Sequence, residues 1–122
     1  MQFLSMIWID EKTIKPPTEK LMADMGKLME EMTKAGVLVD TAGLRPTAEG
    51  VRVRLRRGKL TTTDGPFTEA KEVVGGYAIL EAKSMAEAVE HTKRFLQVHG
   101  DEWDIQCEVR QLERGEPGAE AP

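Results

Sequence analysis

Two segments of the chain are apolar on both faces of a predicted β-strand, and this pattern is the strongest constraint on the fold. Residues 3–9 form a near-continuous apolar run, and residues 75–83 place apolar side chains on both sides of a strand. A strand of this kind lies inside a sheet, with other structure against each face. We therefore predict that these segments are the two central strands of one sheet.

Along the chain, the predicted elements form two strand-helix-strand units, with a hairpin between them. Thr18 is a suitable N-cap for the first helix, and Ser84 with Glu87 forms a capping box for the second. Val51, Val53 and Leu55 alternate with arginines, which is the period of a strand. The predicted elements are strands over 3–9, 37–44, 51–56, 59–63, 75–83 and 105–110, and helices over 18–35 and 85–100.

This order predicts a ferredoxin-like α+β sandwich, β-α-β-(hairpin)-β-α-β. Right-handed crossovers place strands 3–9 and 75–83 in the middle of the sheet, in agreement with their apolar character. Two helices cover only one face of such a sheet. We therefore expect a homodimer in which a second subunit covers the other face.

The chain has 122 residues, the length of one domain. We assign the domain to residues 1–113. Residues 114–122 are polar and rich in Gly and Pro, and they are predicted to be a disordered tail.

The charge balance argues against two classes of partner. The chain has 17 Lys and Arg residues and 21 Asp and Glu residues, for a net charge of −4. Nucleic-acid and anionic-membrane binders lean basic, so we expect no direct nucleic-acid partner and no membrane partner. No apolar run approaches the roughly 20 residues that span a bilayer, and the start lacks the features of a signal peptide. A cytoplasmic location is expected.

Cysteine and histidine are scarce. Cys107 is the single cysteine, which excludes an internal disulfide and a cysteine-rich zinc site. The two histidines, His91 and His99, are too few for most histidine-based metal sites, so no metal or bound cofactor is expected. We predict that His91 lies on the polar side of the second helix and that Cys107 lies in the core.

One motif resembles a known family. Residues 63–72 read Thr-Asp-Gly-Pro-Phe-Thr-Glu-Ala-Lys-Glu, and Gly-Gly-Tyr follows at 75–77. This run resembles the signature of the DGPF-type branch of the YCII-related domain family. The flanking segments agree with this signature: a Val-Arg-Val-Arg strand precedes the motif, and Ala-Lys-Ser-Met-Ala-Glu-Ala follows the central strand. The resemblance covers residues 2–112.

The resemblance implies a dimeric α+β barrel made of ferredoxin-like subunits. Most DGPF-type members have no assigned activity, and some are encoded near extracytoplasmic-function sigma factors. Other branches include small enzymes acting on lactone-like or chlorinated ring products with a histidine-aspartate pair. The first predicted helix here, residues 18–35, contains no histidine, so that chemistry is not carried over.

Three carboxylates are candidate catalytic groups. Asp64 begins the Asp-Gly-Pro-Phe turn, where it either fixes the loop as an Asx-turn or serves as a pocket carboxylate. If Pro66 opens a short helix, Glu69 and Glu72 lie on one side of it. The two carboxylates then either divide the roles of general acid and general base, or belong to a solvated helical turn. Asp10 follows the first strand, where either a cleft mouth or a solvated loop is expected.

The candidate ligand-binding residues are basic or aromatic. Arg52, Arg54 and Arg56 lie on one side of a strand, roughly 7 Å apart. They are either the solvent face of a hairpin or a site for a carboxylate or phosphate group. The other candidates are Phe67, Lys71, Trp8 and Tyr77.

These residues predict the binding of a small anionic organic molecule in a cleft near the Asp64 loop. Two functions remain open. The first is acid/base chemistry of the isomerase or lyase type, with Asp64, Glu69 or Asp10 as base and an arginine as electrostatic stabiliser. The second is a non-catalytic ligand-sensing or protein-interaction module linked to transcription regulation.

Overall fold

The computed structural model describes residues 1–101 and 103–114, and this part of the chain has a mixed α+β fold with antiparallel sheets. The predicted α+β class is confirmed. The elements are β1 (Gln2–Ile9), α1 (Glu19–Lys34), β2 (Leu38–Gly43), a 3-10 turn (Thr47–Glu49), β3 (Val51–Arg56), β4 (Lys59–Asp64), β5 (Val73–Glu81), α2 (Met85–Val98) and β6 (Gln106–Gln111).

The predicted tail falls mostly outside the described residues. Residues 115–122 are among those not described. Arg114 is described, and its Nη2 donates a hydrogen bond to Oε1 of Gln2 at 2.6 Å. The first residue assigned to the tail therefore contacts the domain.

The main sheet has the strand order β2-β5-β1-β6, and every neighbouring pair is antiparallel. The prediction that the first strand and the strand near residues 75–83 are central is confirmed. In the part of the chain that the structure describes, strands β3 and β4 pair only with each other, as a separate two-stranded hairpin. A helix connects β1 to β2 and another connects β5 to β6.

Short-range signals set the helix boundaries. The Thr18 hydroxyl accepts a hydrogen bond from the amide of Leu21 at 3.1 Å, and the Ser84 hydroxyl accepts one from the amide of Glu87 at 3.2 Å. Both predicted N-caps are therefore confirmed. The Glu87 carboxylate lies 3.7 Å from His91 Nε2, so it turns along the helix toward His91. Within the described residues no helix combines the length and apolarity needed to cross a bilayer.

The core lies between the helices and one face of the main sheet. Phe3 is 1% exposed and Ser5 is also buried on this face. The buried apolar residues are Phe3, Leu21, Leu28, Met32, Leu80, Ala82 and Ala88.

Within residues 1–101 and 103–114 no helix lies over the other sheet face. We call it the open sheet face, and it carries Leu4, Met6, Trp8, Tyr77 and Ile79. Met6 is paired with Tyr77 and Leu4 with Ile79, so their side chains share one side, opposite to Phe3. All five are half-buried. A single chain therefore covers residues 3–9 on one face only, and cover of the other face by a second subunit stays a prediction.

The position of His91 also differs from the prediction. Its Nε2 atom is buried, and the side chain faces the sheet beside Ser5 and Thr92. The physical reason is helical spacing: His91 lies three residues after the buried Ala88 and next to Thr92, so it falls on the inner face of α2. Cys107 is half-buried on β6. Burial raises the pKa of the Cys107 thiol, an effect partly offset by the Ser5 hydroxyl.

The hairpin of β3 and β4 is exposed along its whole length and has two different sides. Arg57 and Gly58 form its turn, with φ of 50° and 78°, as expected for a two-residue hairpin loop. The apolar side of the hairpin carries Val51, Val53, Leu55 and Leu60, and its basic side carries Arg52, Arg54, Arg56 and Lys59.

Candidate functional site

Two neighbouring clefts lie where the hairpin, the 3-10 turn and the Asp-Gly-Pro-Phe loop meet the main sheet. The Trp8 cleft has a volume of about 460 Å³. It is lined by Trp8, Leu44, Arg45, Pro46, Thr47, Glu49, Gly50, Val51, Arg52, Phe67, Glu72, Val73 and Val74.

The Asp10 cleft is smaller, at about 130 Å³. It is lined by Asp10, Glu11, Lys12, Thr47, Pro66, Phe67, Thr68, Ala70, Lys71 and Val73. Both clefts share Thr47, Phe67 and Val73. The Asp-Gly-Pro-Phe loop therefore forms a wall of both clefts through its phenylalanine.

Gly65 allows the Asp-Gly-Pro-Phe loop to pack closely against the 3-10 turn. The Gly65 amide donates a hydrogen bond to the Gly50 carbonyl oxygen at 2.9 Å. A Cβ atom at residue 65 would lie 1.6 Å from the carbonyl oxygen of Thr47, so only glycine permits this approach. The Gly65-Pro66 peptide bond is cis.

Glu11 joins the segment after β1 to the same 3-10 turn. Its Oε2 accepts from the Thr47 amide at 2.9 Å, and its Oε1 accepts from the Thr47 hydroxyl at 2.5 Å. Glu11 therefore holds a wall of both clefts in place. Sequence reasoning missed this residue, because the two partners are 36 positions apart and no local pattern links them.

Three of the predicted residues form one cluster at the Trp8 cleft. The Arg52 guanidinium lies over the Phe67 ring, 3.9 Å from its centroid, and its Nη1 donates to Oε1 of Glu69. The pKa of Glu69 is lowered from its usual value, first by a hydrogen bond from its own backbone and then by Arg52. The Arg52 cluster of Arg52, Phe67 and Glu69 thus combines a cation, an aromatic face and an ionised carboxylate.

The Trp8 cleft contains further charged groups: Arg45 and Glu49, which sequence reasoning did not select, and Glu72, which it weighed together with Glu69. Arg45 donates to both carboxylate oxygens of Glu49, at 2.9 Å from Nη2 and 3.3 Å from Nε. Their spacing of four residues is a signal that could have revealed the pair. Glu72 accepts from Nε2 of Gln106 at 2.9 Å.

Pro66 does not open a short helix, so the condition under which Glu69 and Glu72 would share one side of a helix is not met. Residues 66–72 contain turns and bends but no helix. Glu69 contacts Arg52 and Glu72 contacts Gln106, so the two carboxylates are not arranged as an acid/base pair. The cause is tertiary contact, since each side chain is drawn to a different partner.

Asp10 and Asp64 occupy different environments. The Asp10 carboxylate accepts from the Lys12 amide at 2.9 Å, which is an Asx-turn, and it lines the Asp10 cleft together with Lys71. Asp64 is exposed at the end of β4 and lines neither cleft. An Asx-turn at Asp64 is excluded, because the residue two positions on is Pro66, which has no amide hydrogen.

Arg54 and Tyr77 lie away from both clefts. Arg54 is exposed on the basic side of the hairpin. The Tyr77 hydroxyl donates to Oδ2 of Asp40 at 3.1 Å on the open sheet face. This hydrogen bond, and then the charge of Asp40, raises the pKa of Tyr77.

The groups around the two clefts can be compared with those that metal binding and proton transfer require. Across residues 1–101 and 103–114, no group of three His, Cys, Asp or Glu residues could hold a metal ion. Of the three predicted catalytic carboxylates, only Asp10 lines a cleft. The Trp8 cleft instead combines aromatic and aliphatic walls with two guanidinium groups.

The fold and the paired clefts define a small α+β protein with two clefts beside an inserted hairpin. The profile of the YCII-related domain family matches residues 1–99, a span that includes both clefts and the hairpin. The chain belongs to the YCII-related domain family.

A relative and a solved structure were also found. An uncharacterised protein of Rhizobium meliloti (strain 1021) is 30% identical over 79 residues, which are 65% of this chain and 64% of that protein. The match therefore spans less than two thirds of the relative's length. A crystal structure of CutA from Xylella fastidiosa is 14% identical, with a TM-score of 0.43 over 96% of this chain and 88% of that chain.

Proposed function

We propose that this YCII-related protein binds a small organic anion in the Trp8 cleft. The observation that carries the proposal is the Arg52 guanidinium, held over the Phe67 ring at the wall of the cleft. The volume of about 460 Å³ lies within the roughly 300–1,000 Å³ typical of small-molecule sites.

An incoming carboxylate can take the place of Glu69 at Arg52. Both partners of this pair are exposed, with side-chain exposures of 49% and 67%. Solvent screens an exposed ion pair, so exchanging one carboxylate for another costs little. The Phe67 ring keeps the guanidinium positioned during the exchange, and two parallel hydrogen bonds then hold the ligand.

The apolar wall of the cleft suits the carbon part of the ligand. Trp8, Leu44 and Val74 line it. Burying part of an apolar ligand surface against them adds roughly 25 cal/mol per Å². We therefore expect ligands that combine one anionic group with a hydrocarbon portion.

The geometry favours non-catalytic binding over acid/base turnover. Asp64 lines neither cleft, Asp10 lines the other cleft, and the lowered pKa of Glu69 makes this carboxylate a weaker general base. This supports the ligand-sensing role among the two predicted functions.

The test is a calorimetric titration with a panel of small carboxylates and lactones, preceded by thermal-shift screening. Arg52→Gln should weaken the best binder by about tenfold or more, since it removes a charged hydrogen-bond donor. Arg54→Gln is the matched control on the same side of the same strand, and it should leave affinity unchanged. Equal affinity in the Arg52→Gln variant would contradict the proposal, as would the failure of every carboxylate to bind.

The finer family and fold assignments are also part of the proposal. The order β2-β5-β1-β6 with two helices on one face supports a ferredoxin-like sandwich of the dimeric α+β barrel type. The sequence Asp-Gly-Pro-Phe at residues 64–67 supports assignment of the chain to the DGPF-type branch of the family. The half-buried residues of the open sheet face support a homodimer that covers this face. Sedimentation equilibrium should give twice the mass of the chain at micromolar concentration, and a stable monomer would contradict it.

A further inference from the structure

The apolar side of the hairpin is exposed to an unusual extent. Val53 is 67% exposed, Leu55 is 69% exposed and Leu60 is 72% exposed. Their positions in the β3–β4 pairing place all three on one side. A two-stranded hairpin is at best marginally stable alone, and a contiguous exposed apolar strip on it indicates a docking surface.

This strip is continuous with the open sheet face. Val51 belongs to the apolar side of the hairpin, and it lines the Trp8 cleft together with Trp8 and Val74. Trp8 is paired with Val74, so both side chains lie on the open sheet face. A single partner could therefore cover the sheet face and the hairpin together.

The charge distribution indicates that the partner is a second copy of this chain. Residues 51–64 carry five basic residues and one acidic residue, whereas the rest of the chain carries 12 basic and 20 acidic residues. The hairpin is thus basic and the body of the chain is acidic, so each attracts the other in a second copy. A polyanionic partner would be repelled by the body.

The open sheet face carries charged and apolar side chains that complement those of the hairpin. Asp40 is paired with Ile79 and Glu108 with Met6, so two carboxylates stand on this face among its apolar side chains. Arg110, paired with Leu4, stands there too. The apolar residues of a hairpin can pack on Leu4, Met6 and Ile79 while its long arginines reach the carboxylates at the margin.

We infer that the β3–β4 hairpin is an arm whose apolar side packs on the open sheet face of a second copy of this chain. The inference rests on the proposed homodimer and adds to it the element that joins the subunits. In this arrangement the hairpin gains apolar contacts that it lacks in one chain.

The first experiment measures the dimer dissociation constant by sedimentation equilibrium. The double variant Leu55→Thr/Leu60→Thr introduces β-branched residues, which suit strands, and should raise this constant by about tenfold or more. Thr61→Ala is the control on the opposite side of the hairpin and should leave the constant unchanged. Because the replaced leucines are exposed, the variant monomer should fold, which circular dichroism verifies.

The second experiment locates the contact. A photo-reactive benzoylphenylalanine replaces Leu60, and isotope-labelled and unlabelled chains of this variant are mixed before irradiation. We expect cross-links between labelled and unlabelled chains, mapping to the peptides that contain Met6 or Ile79. Cross-links confined to one chain would overturn the inference.

The outcomes separate the two proposals. A monomeric wild-type chain would overturn both the homodimer and the hairpin arm. A wild-type dimer whose dissociation constant is unaffected by Leu55→Thr/Leu60→Thr would overturn the arm alone and leave the homodimer in place.

Discussion

The carbonyl oxygen of Thr47 occupies the space that a side chain at Gly65 would need, 1.6 Å from the position of a Cβ atom. Gly65 lies in the Asp-Gly-Pro-Phe run, and Thr47 begins the 3-10 turn. The contact presses the loop against the turn, so Phe67 is held where both clefts meet. The glycine of the motif therefore serves close packing between two loops.

Gly65→Ala should lower the free energy of unfolding by about 1–3 kcal/mol, because the added methyl group forces the loop away from Thr47. Urea unfolding followed by fluorescence measures this change. Gly26→Ala is the control: no atom lies within 4 Å of a Cβ at that helical position. The control should be neutral or stabilising by up to about 1 kcal/mol. A Gly65→Ala variant as stable as the wild type would refute the packing role.

Glu11→Ala should lower the free energy of unfolding by about 1–3 kcal/mol, because the Thr47 amide and hydroxyl both lose their acceptor. The same urea titration measures the effect. Glu30→Ala provides the comparison, since it removes only an exposed ion pair with Lys34, worth about 0.5 kcal/mol or less. If the two variants lose equal stability, Glu11 does not hold the 3-10 turn in place.

The carboxyl of Glu69 should titrate below its usual value of 4.5 in an NMR pH titration. Its own backbone hydrogen bond and Arg52 both favour the ionised form. Because the folded-state pKa is depressed, the stabilising contribution of this group is present above the unfolded-state pKa and is lost as pH falls through the folded-state pKa. The contact with Arg52 should therefore break on acidification.

Arg52→Gln separates the two causes of this shift. The pKa of Glu69 should rise in the variant yet stay below 4.5, since the backbone hydrogen bond is the larger cause and remains. A pKa identical in the variant and the wild type would show that Arg52 does not act on Glu69 in solution.

Tyr77 should ionise above its ordinary pKa of 10.0, and Asp40→Asn should bring its pKa back toward that value. Tyr77 is the single tyrosine of the chain, so tyrosinate absorbance reports it alone. The raised pKa means that its stabilising contribution is present below the unfolded-state pKa and is lost as pH rises through the folded-state pKa. Asp24→Asn, on α1, is the control, and an equal shift in both variants would argue against the Tyr77–Asp40 contact.

The parts of the fold predicted from the sequence depend on short-range patterns. Thr18 and Ser84 cap helices as expected, and Gly36, with φ of 74°, follows the first helix. The apolar runs of β1 and β5 predicted their central position. These features depend on neighbours within a few residues, which a sequence displays directly.

The site was less accessible to sequence reasoning because its contacts are long-range. The motif pointed to a loop at which Arg52, Phe67 and Glu69 are brought together. The link between Glu11 and Thr47 has no local signature. Asp64 was selected for its place in the motif, yet its side chain lines neither cleft.

Trp8 belongs to two surfaces at once, since it lines the larger cleft and stands on the open sheet face. A molecule seated in the cleft and a subunit packed on the sheet would both contact the same indole. Their binding free energies are then thermodynamically linked, and the linkage is reciprocal. A ligand that tightens self-association through Trp8 is itself held more tightly by the associated form, by the same factor.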